Sequence, residues 1–98
     1  MKRPFAVYLT ERADKELSKL PDKDRSRIRS AIETLASTPL PRGVAKLRGL
    51  RDAYRIRVGK YRVLYRILWK ERMIVIFRVA LKEESLLRFR PRAEPVPL

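Results

Sequence analysis

The chain has 98 residues, 45% of them hydrophobic, contains neither cysteine nor histidine, and carries a formal net charge of +14 at pH 7. The missing cysteine excludes disulfides and thiolate metal sites, and the missing histidine excludes the usual acid–base residue and every histidine-dependent triad. No apolar run approaches the ~20 residues that span a bilayer, and no signal peptide is evident, so we expect a cytoplasmic protein. The length predicts one domain over residues 1–90, followed by a proline-rich, irregular tail over 91–98.

The first half of the sequence predicts one short strand and a helical hairpin. Residues 5–9 alternate as a strand does, and Thr10 follows as the N-cap of a helix that Pro21 stops. Asp22 is expected to cap a second helix, which ends at the loop over residues 38–43. The apolar residues of this second helix recur at the spacing of a buried helical face. They are Ile28, Ala31, Ile32 and Leu35.

Residues 53–69 predict two strands joined by a two-residue turn at Gly59 and Lys60. Glycine at the first turn position favours a type II′ hairpin, which sets Val58 opposite Tyr61 and Arg57 opposite Arg62. Side chains two apart share a face of a strand, so one face is apolar and faces the core. The other face carries Arg55, Arg57, Arg62 and Arg66, with Leu64 among them.

Residues 73–81 form a near-continuous apolar run broken by Arg78, which is typical of a central strand covered on both faces. A short helical or irregular segment follows over residues 83–89. The predicted fold class is therefore α+β. An N-terminal strand and a helical hairpin precede a three-stranded antiparallel meander that packs on the helices, and a short C-terminal segment ends the chain.

The positive charge is concentrated in the hairpin. Residues 11–38 contain seven basic and six acidic side chains, whereas residues 46–66 contain eight basic and one acidic. A basic face of this kind indicates a nucleic-acid binder. Arg57 opposite Arg62 costs stability, which a fold tolerates where an anion binds. The alternative is a solvated face whose arginine stems cover apolar surface.

The side chains available for chemistry argue against metal catalysis. Asp52 and Glu71 are too isolated to form a carboxylate cluster, and Glu83 with Glu84 is more simply a helix-start or surface pair. Arginine binds phosphate and stabilises the charge of a phosphoryl-transfer transition state. On RNA the substrate's own 2′-hydroxyl can be the nucleophile, so cleavage needs no metal or other cofactor. On DNA the same residues would only bind.

The hairpin strongly resembles the RelE/ParE superfamily of toxins from type II toxin–antitoxin systems, and most closely its RelE-like branch. The resemblance is carried by the segment Tyr54-Arg-Ile-Arg-Val-Gly-Lys-Tyr-Arg-Val-Leu-Tyr65. It is supported by Lys46-Leu-Arg-Gly49, by Lys19-Leu-Pro21 at the end of the first helix and by Leu35-Ala-Ser-Thr-Pro39 at the end of the second. The order of elements agrees as well.

The resemblance implies a toxin that cleaves mRNA in the ribosomal A site through the 2′-hydroxyl and is neutralised by a co-expressed antitoxin, in a toxin–antitoxin hetero-oligomer. It implies that Arg62 stabilises the transition state and that Arg55 and Arg57 form the family's basic pair. The best-known members carry lysines there, one of them a proposed general base, whereas arginine is a poor base. Lys82 falls nearest the position proposed as general acid, and Arg88 or Phe89 falls where the family has a base-stacking tyrosine.

The remaining basic and aromatic residues near the hairpin are candidates for RNA binding. They are Lys46, Arg48, Lys60, Arg66, Arg78 and Phe89. Two alternatives to an mRNA endonuclease remain open. One is a ParE-like toxin that inhibits DNA gyrase, and the other is a catalytically weakened, RNA-binding toxin homologue.

Overall fold

A computed structural model describes residues 3–81, which form a five-stranded sheet with two helices packed on one face. The elements in chain order are β1 (Ala6–Leu9), α1 (Glu11–Ser18), α2 (Asp22–Leu35), β2 (Ala45–Lys46), β3 (Ala53–Val58), β4 (Tyr61–Leu68) and β5 (Met73–Leu81). The α+β prediction is confirmed, and β2 is an addition to it. Within residues 3–81, no helix has the length and apolar character needed to cross a membrane. The predicted segment 83–89 and tail 91–98 lie outside the described residues.

The two helices begin in different ways. Thr10 caps α1 as predicted, because its Oγ1 accepts a hydrogen bond from the N–H of Ala13 at 3.1 Å. The prediction that Asp22 caps α2 is wrong. Pro21 occupies the N-cap, and Asp22 is the first helical residue, with its carboxylate bound by Arg25. An acidic side chain in the first turn still favours the helix, since it lies at the positive end of the helix dipole.

β5 is an interior strand that lies between β1 and β4, and its apolar sequence predicts such a position. The strand order across the sheet is β1-β5-β4-β3-β2. β1 pairs with β5 in parallel, from Ala6 opposite Met73 to Leu9 opposite Ile76, and the other neighbouring strands run antiparallel. The sheet therefore joins the start of the described chain to its end.

The predicted hairpin register between β3 and β4 is confirmed. Val58 pairs with Tyr61, and Arg57 pairs with Arg62. Gly59 has φ +61°, as the first position of a type II′ turn requires. Because this conformation is strained for a residue with a Cβ, glycine at this position fixes the turn and with it the register.

A β-bulge interrupts the pairing of β4 with β5. Leu64 pairs with Arg78 and Tyr65 pairs with Ile76, so Phe77 is the extra residue on β5. β1 ends at the level of Ile76, which leaves the outer edge of β5 uncovered after the bulge. Glu16 of α1 closes this edge, because its carboxylate accepts the N–H of Val79 at 2.7 Å.

Two tyrosines tie the sheet to α2 and to the loop that follows it. The hydroxyl of Tyr61 donates to the carboxylate of Asp24 at 3.0 Å, and the hydroxyl of Tyr65 donates to the carbonyl of Pro39 at 2.7 Å. Burial raises the pKa of both phenols. The hydrogen bond and the negative charge of Asp24 raise the pKa of Tyr61 further, and Tyr54 has a smaller effect on Tyr65.

These raised pKa values predict a loss of stability in alkali. A phenol whose pKa is higher in the folded than in the unfolded chain stabilises the fold fully below its unfolded pKa of about 10, and this contribution is lost as pH rises above that value. Tyr65→Phe should lower the free energy of unfolding by about 1 kcal/mol at neutral pH, because the Pro39 carbonyl loses its donor. Urea unfolding of both proteins between neutrality and high pH should show the difference shrinking in alkali, and a constant difference would contradict this assignment.

Candidate functional site

The face of the sheet opposite the helices brings three arginines together at the turn end of the hairpin. Arg57 and Arg62 are direct cross-strand partners, and Arg55 lies two residues before Arg57 on the same face. The hairpin register dictates this arrangement, since the intervening residues Ile56 and Val58 belong to the helix-side core. We call Arg55, Arg57 and Arg62 the arginine cluster.

The three residues of the arginine cluster differ in how deeply they are buried. Arg62 is 7% exposed and is the one charged residue among the buried residues of the described chain. Arg55 is half-buried and Arg57 is exposed. Burial lowers the pKa of Arg55, and the positive charges of Arg57 and Arg62 lower it further. Within residues 3–81, neither Arg55 nor Arg57 forms an ion pair. Arg55 and Arg57 therefore carry positive charge that no carboxylate within residues 3–81 neutralises.

A small apolar cluster covers the neighbouring part of the same face. Leu64, which sequence analysis placed among the arginines, is fully buried there, packed with other apolar side chains. The members of this cluster are Leu47, Ala53, Leu64 and Phe77, with Leu50 packed against them. The loop after β2 folds across the sheet to supply Leu47 and Leu50. It confines the accessible basic face to the turn end of the hairpin.

Arg66 is separated from the arginine cluster. It lies four residues beyond Arg62 on β4, which is about 13 Å along a strand, and it pairs with Ala53 on one side and Val75 on the other. Its Nε is buried and has no hydrogen-bond partner within the part of the chain that the structure describes. The structure therefore places Arg66 on the predicted face but away from the other three arginines.

Three further predicted RNA-binding residues differ in where they lie. Lys46 pairs with Tyr54, which packs against the helix-side core, so Lys46 belongs to the face opposite the arginine cluster. This placement separates it from the predicted basic face. Arg48 is exposed on the loop that crosses the arginine side. Lys60 is exposed in the hairpin turn, with its Nζ 5.8 Å from the ring centre of Tyr61.

Arg78 is held by a carboxylate rather than presented to a ligand. Its side chain is 12% exposed, and its Nε donates to Glu16 at 2.9 Å. Arg78 therefore helps to hold Glu16 against the edge of β5 and does not belong to the candidate site. Lys82 and Phe89 lie outside the described residues. Residues 3–81 contain no group of three or more acidic side chains placed to hold a metal ion.

Residues 7–86 match the family described as the ParE toxin of type II toxin–antitoxin system, parDE. A curated relative, the putative toxin RelE1 of Methanocaldococcus jannaschii, is 35% identical over 82 residues, which cover 81% of this chain and 91% of the relative. This chain belongs to the RelE/ParE superfamily of toxins, in its RelE-like branch. It is a toxin of a toxin–antitoxin system, which confirms the resemblance seen in the hairpin.

Solved RelE structures share the fold of this RelE-like toxin. The toxin in the archaeal RelE–RelB complex from Pyrococcus horikoshii OT3 superimposes with a TM-score of 0.73 at 31% identity, over 84% of this chain and 99% of that one. The isolated E. coli RelE toxin gives a TM-score of 0.72 at 26% identity, over 85% and 89% of the two chains. The architecture that positions the arginine cluster is therefore that of the RelE toxins.

One basic residue beside the site of the RelE-like toxin was not predicted from the sequence. Arg42 lies in the loop between α2 and β2 and lines a cavity together with Arg55 and Arg57. The sequence shows only a proline- and glycine-containing loop around it. A basic residue in such a loop is a weak signal, because nothing in the local sequence indicates which strand the loop approaches.

Proposed function

We propose that this toxin is a metal-independent endoribonuclease that cuts ribosome-bound mRNA in the cytoplasm. The 2′-hydroxyl of the substrate loses its proton and attacks the adjacent phosphorus. The bond to the 5′-oxygen then breaks, and this oxygen leaves with a proton. The products are a 2′,3′-cyclic phosphate and a 5′-hydroxyl.

The observation that carries this proposal is the direct pairing of Arg57 with Arg62. Like charges opposite each other in a ladder repel, and Arg55 adds a third positive charge on the same face. A phosphodiester across the cluster would offset this repulsion, and the additional charge of the transition state would offset it further. Planar guanidinium groups also match the geometry of phosphate oxygens.

Each arginine has a distinct place in the proposed mechanism. Arg62 is held in the sheet by burial and stabilises the charge that develops on the phosphate oxygens. Arg57 is exposed and Arg55 half-buried beside it, so both can hold the RNA backbone. Although the pKa of Arg55 is lowered, arginine stays protonated at neutral pH and does not serve as the base. Lys82 remains the candidate proton donor from the sequence.

The test is cleavage of mRNA on purified ribosomes by the purified toxin. We expect cleavage in the A-site codon, with products that carry a 2′,3′-cyclic phosphate. Because ribosomes need magnesium, metal independence is tested separately, on a free RNA oligonucleotide at high toxin concentration in buffer containing a chelator of metal ions. Absence of cleavage under both conditions would contradict the proposal.

A second candidate function is inhibition of DNA gyrase. The family match over residues 7–86 favours it, because that family is described as the ParE toxin. A toxin that targets a protein has less need of three arginines on one face of the sheet. Gyrase cleavage complexes that accumulate without loss of mRNA would establish this second function. RNA binding without cleavage would instead indicate a catalytically weakened homologue.

An antitoxin is the proposed protein partner. The similar structures from Pyrococcus horikoshii and Mycobacterium tuberculosis are of toxin–antitoxin complexes. We propose that this toxin likewise forms a hetero-oligomer with an antitoxin encoded beside it. Co-expression of the neighbouring reading frame should restore growth of cells that express the toxin.

A further inference from the structure

A cavity of about 610 Å³ lies at the edge of β3, next to the arginine cluster. Its walls come from α2, from the loop before β2 and from β3. The residues that line it are Ala31, Thr34, Leu35, Pro41, Arg42, Gly43, Arg55, Ile56, Arg57 and Val58. The volume falls within the range of about 300–1,000 Å³ that small ligands occupy in proteins.

The cavity combines positive charge with an apolar wall. Arg42, Arg55 and Arg57 line it, no carboxylate does, and none of the three forms an ion pair within residues 3–81. Five lining residues are aliphatic or proline side chains from three different elements. They are Ala31, Leu35, Pro41, Ile56 and Val58. Such a cavity suits a ligand with an anionic group and a planar or apolar body.

The backbone of β3 contributes a donor at the same place. Val58 and Tyr61 flank the two-residue turn and exchange hydrogen bonds, so the N–H and C=O of Arg57 point away from β4. The short strand β2 pairs only with Tyr54 and Arg55, and no strand within residues 3–81 covers Arg57. The N–H of Arg57 can therefore donate to a phosphate oxygen.

We propose that this cavity binds one nucleotide of the mRNA strand, next to the phosphate that is cleaved. The inference rests on the proposed function. The cavity shares Arg55 and Arg57 with the arginine cluster, so an RNA strand that crosses the cluster reaches the cavity around the edge of β3. The phosphate contacts Arg42 and the backbone of Arg57, and the base packs against the apolar wall. A nucleotide matches both the positive charge and the apolar wall of the cavity, because single-stranded RNA presents a charged backbone beside unstacked bases.

The first test removes the charge of Arg42. Binding of a fluorescent, uncleavable 2′-O-methyl RNA oligonucleotide is measured over a range of salt concentrations. Arg42→Ala should weaken binding about fivefold and reduce the slope of log affinity against log salt by about 1. Arg29→Ala is the matched control, since Arg29 is exposed on α2 outside the cavity lining. It should leave affinity almost unchanged.

The second test fills the cavity without changing charge. Thr34 is exposed on α2 at the cavity wall, so Thr34→Trp occupies the space intended for the base while the fold remains intact. It should weaken binding of the intact oligonucleotide by a similar factor but have little effect on an abasic oligonucleotide of the same length. Ser30→Trp, one turn earlier on the same helix and outside the lining, is the control.

Each result either supports or overturns the assignment. Normal RNA binding by both cavity variants overturns it, even where the parent toxin cleaves mRNA as proposed. Weakened RNA binding by both variants supports it, even where the parent does not cleave. A defect confined to ribosome association, with oligonucleotide binding intact, would assign the cavity to ribosomal RNA. A defect confined to antitoxin binding would assign it to a protein partner, and both of these outcomes overturn the proposal.

Discussion

Arg62→Ala is expected to lower the rate of mRNA cleavage by at least about 100-fold, which is typical of removing a group that stabilises a charged transition state. Arg62 is the most buried member of the arginine cluster and lies directly opposite Arg57. The substitution removes a like-charge repulsion and also removes the packing of the arginine stem. These two effects oppose each other, and urea unfolding of the variant measures their balance.

Two further variants make the Arg62 result specific. Arg62→Lys keeps the charge but loses the planar fork, so it should retain part of the activity. Arg29→Ala removes the same charge from an exposed helical position and should cleave at the parent rate. Single-turnover cleavage on ribosomes gives the rates, and urea unfolding shows that each variant is folded. An Arg62→Ala toxin that cuts mRNA at the parent rate would overturn the proposed role.

Glu16→Ala is expected to destabilise the toxin by about 2–3 kcal/mol, because it leaves two polar groups without their partner. The carboxylate of Glu16 accepts from the Val79 N–H at 2.7 Å and from Arg78 Nε at 2.9 Å. The side chains of Glu16 and Arg78 are 22% and 12% exposed, so solvent screens the pair only partly. This estimate is accordingly below the full cost of breaking a buried ion pair.

The natural control for Glu16 is its other ion pair. Arg12 Nε lies 3.4 Å from the same carboxylate, but the Arg12 side chain is 66% exposed. Arg12→Ala should therefore cost less than about 0.5 kcal/mol. Glu16→Gln keeps an acceptor for the Val79 N–H and should fall between the two. Equal unfolding midpoints in urea for Glu16→Ala and Arg12→Ala would show that the β5 edge does not depend on this carboxylate.

The hairpin was predictable from the sequence because the residues that determine its pairing are close together in the chain. Alternation of arginine with apolar residues fixes which side chains share a face, and Gly59 fixes the turn. Together they fix the pairing of Arg57 with Arg62, which the structure confirms. The apolar run over β5 was equally informative, since a strand covered on both faces needs apolar residues at nearly every position.

The remaining features depend on contacts between distant parts of the chain. The bulge at Phe77 and the Glu16–Arg78 pair arise where α1 meets the end of β5, 62 residues later in sequence. In the sequence Leu47 resembles an ordinary loop residue, but in the folded chain it packs in the same apolar cluster as Leu64. Arg42 joins the site only because its loop lies beside β3. Periodicity carries no information about any of these contacts.

The parallel pairing of β1 with β5 has a consequence for the order in which the toxin becomes active. The ribosome makes β1 first, but the partner of β1 is the last strand of the described chain. Until β5 emerges, β1 and β4 lack the strand that lies between them, and contacts between such distant segments form slowly. The sheet that holds the arginine cluster is thus incomplete until β5 has left the ribosome, so the nascent chain carries no finished toxin before that point.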